Sequence, residues 1–562
     1  MKKIYICYFL SAMLVGGFTA CDDLLTEKPD SYYEFENYFD SEAKAEMSVL
    51  SIYSSISHPN LYGSREMAVP LSDDCYFTTR TNSDGGVHDI SNYSLSATNT
   101  WVSDLWKYTY EAIDRANFTI TGITGMKGYE ENLRLQKLVA EARFLRAFCA
   151  FDLIKFWGDV PFKTTYTSDY ESVFTSRMDR ENIYDEIVKD LDFAKNTLDW
   201  HTATDSPERA SQGAARALLM RVLLQRAGFS LQQDGTLTRP EEEKRQVYYD
   251  AVIQEWLEFA QSSHGFYDGG YEALFKSFSE GVLNSKESLF EIAFTHAQGN
   301  RSGGWWGTYN GPAVAEPKGI GATETSKYMG RANAMFRAVP AWLTFYTDND
   351  TRRDVNICTY RWDWDAQNKV HKQSKKLKDN NWCPGKWRRE WMPIGYKDLN
   401  YTDVNFCPLR YADVVLMAAE AYNETGDTSK AWELLNSVRK RAGAPEIKPT
   451  ENYTQLMKAP QVYDLPFIDD GDEPGKFRTA LYWERGFELS YEGQRKFDLI
   501  RWGILYEALQ LFGNKNATES AANRKAYIAY KNFVKGKHEL LPIPLKEIQS
   551  NPKLEGINNP GY

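Results

Sequence analysis

The stretch that most constrains this chain runs from Arg410 to Gly443. Its first half, Asp413-Val-Val-Leu-Met-Ala-Ala-Glu-Ala-Tyr422, carries apolar side chains at helical spacing. Glu424-Thr425-Gly426-Asp427 then interrupts the run. Gly426 suits the left-handed position just past a helix end, and Asp427 or Thr428 can cap a second helix. Ala431, Leu434, Leu435 and Val438 resume the stripe at three- and four-residue spacing. Ala419, Ala421 and Ala431 are small enough to let the two helices approach closely as an antiparallel hairpin. Such a hairpin leaves one apolar face uncovered, so it needs further hairpins stacked beside it.

Arg410 to Gly443 spans 34 residues, one tetratricopeptide (TPR) period. Helices of similar character are expected over Leu105–Ile120, Leu138–Trp157, Arg209–Ala227 and Val247–Ala260, and strands only at Ser288–Phe294 and Asn405–Leu409. The expected class is all-α dominated, with TPR-like helix-turn-helix units, large irregular loop insertions and a few short strands. Glu141 to Lys155 and Glu484 to Gly503 add charges to segments that such a stack would bury. An orphaned buried charge costs several kcal/mol, so these groups are expected to pair and fix helix register rather than to catalyse.

The amino terminus reads as an address. Lys2 and Lys3 precede an apolar run from Ile4 to Val15, too short to span a bilayer and of the size of a signal-peptide core. Phe18-Thr19-Ala20-Cys21 follows and resembles a bacterial lipobox, with Phe18 where leucine is usual. The expected organisation is a lipoprotein signal peptide over 1–20, a flexible tether over 21–36 from lipidated Cys21, and a single domain over 37–562. Two or more acyl chains on Cys21 anchor stably, because each buried CH₂ contributes about 0.8 kcal/mol.

The formal charge is −11, and loss of Lys2 and Lys3 makes it −11 − 2 = −13. That argues against a nucleic-acid partner, since phosphate contacts need a basic face. Lys372–Lys378 with Lys386, Arg388 and Arg389 is the one local basic run, read here as solvated surface. Of seven cysteines, five follow Cys21, widely spaced and without a CxxC, so neither a disulfide framework nor a zinc site is implied. A Cys358–Cys383 bridge is allowed outside the cytoplasm, but the spacing does not argue for it. GxSxG and HExxH are absent from the sequence and the seven histidines are scattered, so no enzyme and no cofactor is expected. Asp469-Asp470-Gly471-Asp472-Glu473 offers hard oxygens for a structural Ca²⁺ but lacks EF-hand spacing, and a solvated acidic loop is the expectation.

Four segments, in order, resemble the SusD/RagB family of nutrient-binding outer-membrane lipoproteins. They are Glu141-Ala-Arg-Phe-Leu-Arg-Ala through Phe156-Trp157-Gly158-Asp159-Val160-Pro161, and Arg410 through Arg439. Then come Glu484-Arg485 through Asp498-Leu-Ile-Arg501-Trp502-Gly503, and Leu541-Pro542-Ile543-Pro544 to Tyr562. The resemblance implies a right-handed superhelix of about four TPR-like units. It implies a cell-surface protein, anchored in the outer membrane, that captures oligosaccharide or polysaccharide and delivers it to a SusC-like TonB-dependent transporter. Some RagB-like members take peptides. A surface glycosidase or a bare TPR scaffold are the readings from other classes.

Sugars offer apolar C–H faces ringed by hydroxyls, so a binder needs aromatic platforms with polar groups at their edges. Two segments fit. The first is Asp73-Asp74-Cys75-Tyr76-Phe77-Thr-Thr-Arg80, running on to Trp101. The second is Arg301-Ser-Gly-Gly-Trp305-Trp306-Gly-Thr-Tyr309-Asn310-Gly311. Asp73, Asp74, Tyr76, Arg80, Trp101, Trp305, Trp306 and Tyr309 are therefore the expected ligand contacts. Trp362, Trp364, Trp382, Trp387 and Trp391 form a third cluster, open to either ligand or transporter.

Overall fold

A computed structural model describes residues 38–77, 83–297, 302–321, 324, 327–394, 398–448, 471–514 and 527–562. The signal peptide, tether and Cys21 expected above lie outside them, as do Asp469 and Asp470 of the acidic loop.

The long helices are α1 (Glu42–Ile56), α2 (Thr100–Thr124), α3 (Leu133–Trp157), α4 (Arg180–Thr197), α5 (Gln212–Ala227) and α6 (Glu242–Phe259). Further along come α7 (Gly270–Glu280), α8 (Tyr411–Glu424), α9 (Thr428–Arg441), α10 (Glu473–Glu488), α11 (Arg495–Arg501) and α12 (Leu505–Asn514). From α1 to α6 each helix packs on the next. α6 then packs on α8, and α8 on α9 and α10. The expected helices are all present: α2, α3 and α6 start earlier than expected, and α5 starts three residues later, at Gln212. Asn99 caps α2, Asn132 caps α3 and Ser211 caps α5. In the α8–α9 hairpin Gly426 takes φ +93° and the Asp427 carboxylate accepts from Lys430 N at 3.0 Å.

One helical segment is interrupted. Glu484–Gly503 is not one helix. α10 stops at Glu488 and α11 starts at Arg495, with Tyr491 at φ +67° and Gly493 at φ +87° between them. The sequence there keeps helical spacing, but Glu488 and Glu492 must both reach Arg410, and the break turns them to it.

Strands are short and paired in twos. Those that frame the inserted loops are β1 (Cys75–Phe77), β2 (Ser288–Ile292), β3 (Phe336–Ala338), β4 (Ile357–Cys358), β5 (Trp362–Asp365), β6 (Val370–Gln373), β7 (Cys383–Pro384) and β8 (Phe406–Arg410). β1 pairs with β3, β2 with β8, β4 with β7 and β5 with β6, all antiparallel. β8 runs directly into α8, so the β2–β8 ladder fastens the inserted loops to the helical stack.

Charged side chains fill much of the interior. Arg410, 2% exposed, donates to Glu488 at 2.6 Å, Glu492 at 2.5 Å and Glu287 at 3.1 Å. Glu488 also takes Arg441 and, at 3.1 Å, Arg352, which reaches Glu484 at 2.5 Å. Arg485 bridges Asp413 at 2.7 Å and Asp498 at 2.8 Å. On α3, Arg146 makes a two-pronged pair with Asp190 at 2.7 Å, and Glu141 takes Arg209 at 2.6 and 2.7 Å. Three members of the basic run join this interior instead of solvent. Lys386 and Arg389 are 0% exposed and Arg388 is 6% exposed, with Lys386 paired to Glu492. The positive fields of Arg441, Arg410 and Arg352 outweigh burial and hold the Glu488 carboxyl well below the usual carboxylate range.

Not every buried carboxyl is lowered. Glu66 lines a cavity of about 30 Å³ beside Asp74, Trp306 and Gly493, and among the described residues its Oε2 has no hydrogen-bond partner. Burial, with the Asp152 charge adding to it, pushes Glu66 up to about 8.

Two outcomes follow from this interior. Glu488→Ala takes one carboxylate from each of three buried arginines and is expected to cost about 3–5 kcal/mol in urea unfolding; a loss under about 1 kcal/mol contradicts the pairing. The Glu66 carboxyl, raised in the folded state, stabilises below its unfolded value, and that contribution is lost as pH rises through about 8. Glu66→Gln is therefore expected to gain stability over the wild type steadily between about pH 5 and 8, a difference in which all other titrations cancel. A pH-independent difference contradicts the shift.

Candidate functional site

The structure divides the eight expected contact residues by burial. Asp73 is 0% exposed, bound two-pronged by Arg495 at 2.8 and 2.9 Å, and accepts from the Tyr482 hydroxyl at 2.8 Å. Asp74 is buried too, and burial, with Asp73 next, pushes it up to about 7. Tyr76 lies in β1, packed near Tyr527. Trp306 stacks face to face on Phe406 at 4.4 Å and donates from Nε1 to Tyr62 O at 2.9 Å. These four are corrected to interior residues, since each already has its partners inside the protein. Arg80 lies outside the described residues, as does Cys21. Of the third tryptophan cluster, Trp387 is also interior, tilted against Trp306 at 4.8 Å.

Trp101, Trp305 and Tyr309 remain half-exposed, and the structure brings them together. Trp305 and Tyr309 stack at 4.4 Å between ring centres, 21° from parallel, and Tyr401 meets Trp305 edge-on at 5.2 Å. The backbone dictates this. Trp305 N donates to Gly63 O at 2.8 Å, and Tyr309 N to Trp305 O at 3.0 Å, which sets the two rings one turn apart on the same side. Adjacent Trp306 is thereby sent inward.

Gly63 leads to Arg65, which joins this stack to the second segment. The Arg65 guanidinium lies 4.4 Å over the Trp101 ring and donates to Asp104 at 3.1 Å. Its charge also reaches the Tyr309 and Tyr401 phenols, whose values burial raises and the arginine lowers. Trp101 opens α2, where the Asn99 side chain accepts from its backbone N at 3.0 Å. Trp101, Asp104 and Tyr108 follow at helical spacing on one face, and Tyr108 stacks on His58 at 3.8 Å. Gly86 sits behind Trp101, where an added Cβ would fall 3.3 Å from Cδ1 of the indole.

Polar groups edge the platform. Arg331 donates to Asn400 at 2.7 Å beside Tyr401, and Asp104 is held by Arg65. The arrangement offers flat apolar faces ringed by a guanidinium, an amide and a carboxylate. Among the described residues there is no group of three or more His, Cys, Asp or Glu set to hold a metal, and Asp472 of the acidic loop caps α10 instead. Nor is any helix among them long and apolar enough to cross a membrane. Arg65, Tyr401 and Arg331 escape sequence reasoning because each stands alone in its segment, with no pattern to mark it.

Comparison with known proteins agrees with this architecture. Residues 286–562 match the family model described as SusD family, and residues 23–224 one described as starch-binding associating with outer membrane. SusD-like protein P25 of Formosa agariphila is 27% identical over 98% of both chains. The crystal structure of a SusD homologue from Bacteroides thetaiotaomicron superposes with a TM-score of 0.76 at 24% identity, covering 94% of this chain and 98% of that one. Surface glycan-binding protein A of the same organism, solved with laminarihexaose, gives 0.65 at 20% identity over 92% of this chain and 99% of its own. With family matches at both ends of the sequence and likeness along its whole length, this chain belongs to the SusD-like family.

Proposed function

We propose that this protein captures glycan at the cell surface on the Trp101–Trp305–Tyr309–Tyr401 platform and delivers it to a SusC-like TonB-dependent transporter, held to the outer membrane by lipid on Cys21. The observation that carries the capture step is the Trp305–Tyr309 stack at 4.4 Å, half-exposed and joined through Arg65 to Trp101. A half-exposed aromatic pair with edge groups has the chemistry a pyranose ring needs. Its C–H face lies on the π surface while Arg65, Arg331, Asn400 and Asp104 supply donors and acceptors for its hydroxyls. The relatives support a glycan as the ligand class. One is described as laminarin-binding and another was solved with laminarihexaose. Delivery and lipid anchoring rest on the family and on the Phe18–Cys21 motif. Binding without cleavage is the proposed action, and the buried acids serve its scaffold.

Affinity electrophoresis of residues 22–562 through gels holding a panel of polysaccharides, laminarin among them, tests this reading. Retardation by a glycan, with no saccharide released on prolonged incubation, is expected. Trp305→Ala and Trp101→Ala are each expected to weaken retention about tenfold, equivalent to about 1.4 kcal/mol, at an unchanged melting temperature. Trp306→Ala is expected to lower the melting temperature instead. Retention that survives both platform substitutions, retention on peptides alone, or release of sugar overturns the proposal.

A further inference from the structure

Cys358 closes β4 and Cys383 opens β7, and the antiparallel register sets the two directly opposite. Two places along the ladder, Gly385 N donates to Asn356 O at 2.8 Å. Pairs alternate, so 356/385 and 358/383 are the hydrogen-bonded positions. Pro384, which has no N–H to give, falls opposite Ile357 at the position that needs none. Hydrogen-bonded antiparallel partners hold their Cα atoms about 5.5 Å apart, near the centre of the range a disulfide spans.

Direct partners send their side chains to the same face. Here both sulfurs enter one small apolar cluster with Ala334, against Ala313 and Tyr360. Cys358 Sγ lies 3.5 Å from Tyr360 O, and Cys383 Sγ lies 4.0 Å from Cys358 O. The other described cysteines lie elsewhere. Cys407 contacts Ser288 at 3.3 Å, Cys149 is within α3, and Cys75 faces Ala338.

We propose that Cys358 and Cys383 form a cross-strand disulfide in the mature protein. The oxidant is a disulfide donor of the thiol-exchange class. One thiol gives up its proton, and its thiolate attacks a donor sulfur, forming a mixed disulfide and releasing one donor thiolate. The second cysteine, deprotonated, attacks the protein sulfur of that mixed disulfide, closing the Cys358–Cys383 bond and releasing the second donor thiolate. The protein loses two electrons and two protons, and the donor disulfide becomes two thiols. Both cysteines are 1% exposed once folded, so exchange precedes final packing of this ladder.

The bridge closes the 359–382 loop, which holds β5 and β6. β5 in turn grips the segment behind the platform. Trp362 N donates to Ala313 O and Ala315 N to Trp362 O, each at 2.9 Å. Val314 bridges to Ala332, and Met335 N donates to Tyr309 O at 2.8 Å. The bond would thus staple the ladder on which Tyr309 is mounted.

The test counts thiols in residues 22–562 produced by export to an oxidising compartment. Seven cysteines less Cys7 and Cys21 leaves five. Unfolded and alkylated without reductant, the chain is expected to take up three alkyl groups, since a bridge hides two of the five, and all five after reduction. Proteolysis is expected to yield one linked pair, the Cys358 and Cys383 peptides two hydrogens lighter than their sum. Cys358→Ser is expected to take up four groups with or without reductant. Five groups on the unreduced wild type, or a link between any other pair, overturns the proposal.

Discussion

The fold depends on charges that have no water to turn to. Glu488, fully buried, takes Arg352, Arg410 and Arg441 at once, and Arg410 in turn holds Glu287 and Glu492. Each of these ions would be costly alone in a medium of low dielectric constant, so each fixes where its partners must be. α9, α10, β8 and the 489–494 turn are thereby locked in mutual register. The price is helical continuity, given up between Glu488 and Arg495 so that two carboxylates can converge on one guanidinium.

Other buried polar pairs mount the half-exposed platform. Arg495, on α11, grips Asp73 at the start of the β1 segment. Tyr62 donates to Asp152 on α3, and its carbonyl accepts from Trp306. Between those two anchors run Gly63 and Arg65, the residues that place Trp305 and cover Trp101. The half-exposed rings thus stand on backbone whose neighbours are fixed in the core, and little conformational freedom is left for a ligand to remove.

Helical hairpins were legible because their apolar stripes are local, and the α8–α9 turn was readable down to Gly426 and Asp427. That the charges of α3 and α10 must pair was also legible, but not with whom, since ion pairs here join residues as far apart as Asp73 and Arg495. That distance is why Asp73 and Asp74 resembled loop acids free to meet a ligand, whereas a partner 422 positions away takes Asp73 inside. Trp305 and Trp306 could not be told apart by sequence. They share composition and glycine neighbours, and only the hydrogen bond from Trp305 N to Gly63 O decides which ring faces out. Arg65 and Tyr401 carry no local pattern at all, and their role exists only once three loops meet.

A crystal structure of residues 22–562 with an oligosaccharide cut from the polysaccharide that retains the protein tests the central claim most directly. The account predicts a sugar ring lying on Trp305 and Tyr309, with Arg65 or Arg331 at its hydroxyls and Trp306 still stacked on Phe406. Sugar bound instead in the groove between Tyr249, Arg239 and Trp502, with the Trp305 face left bare, would contradict it.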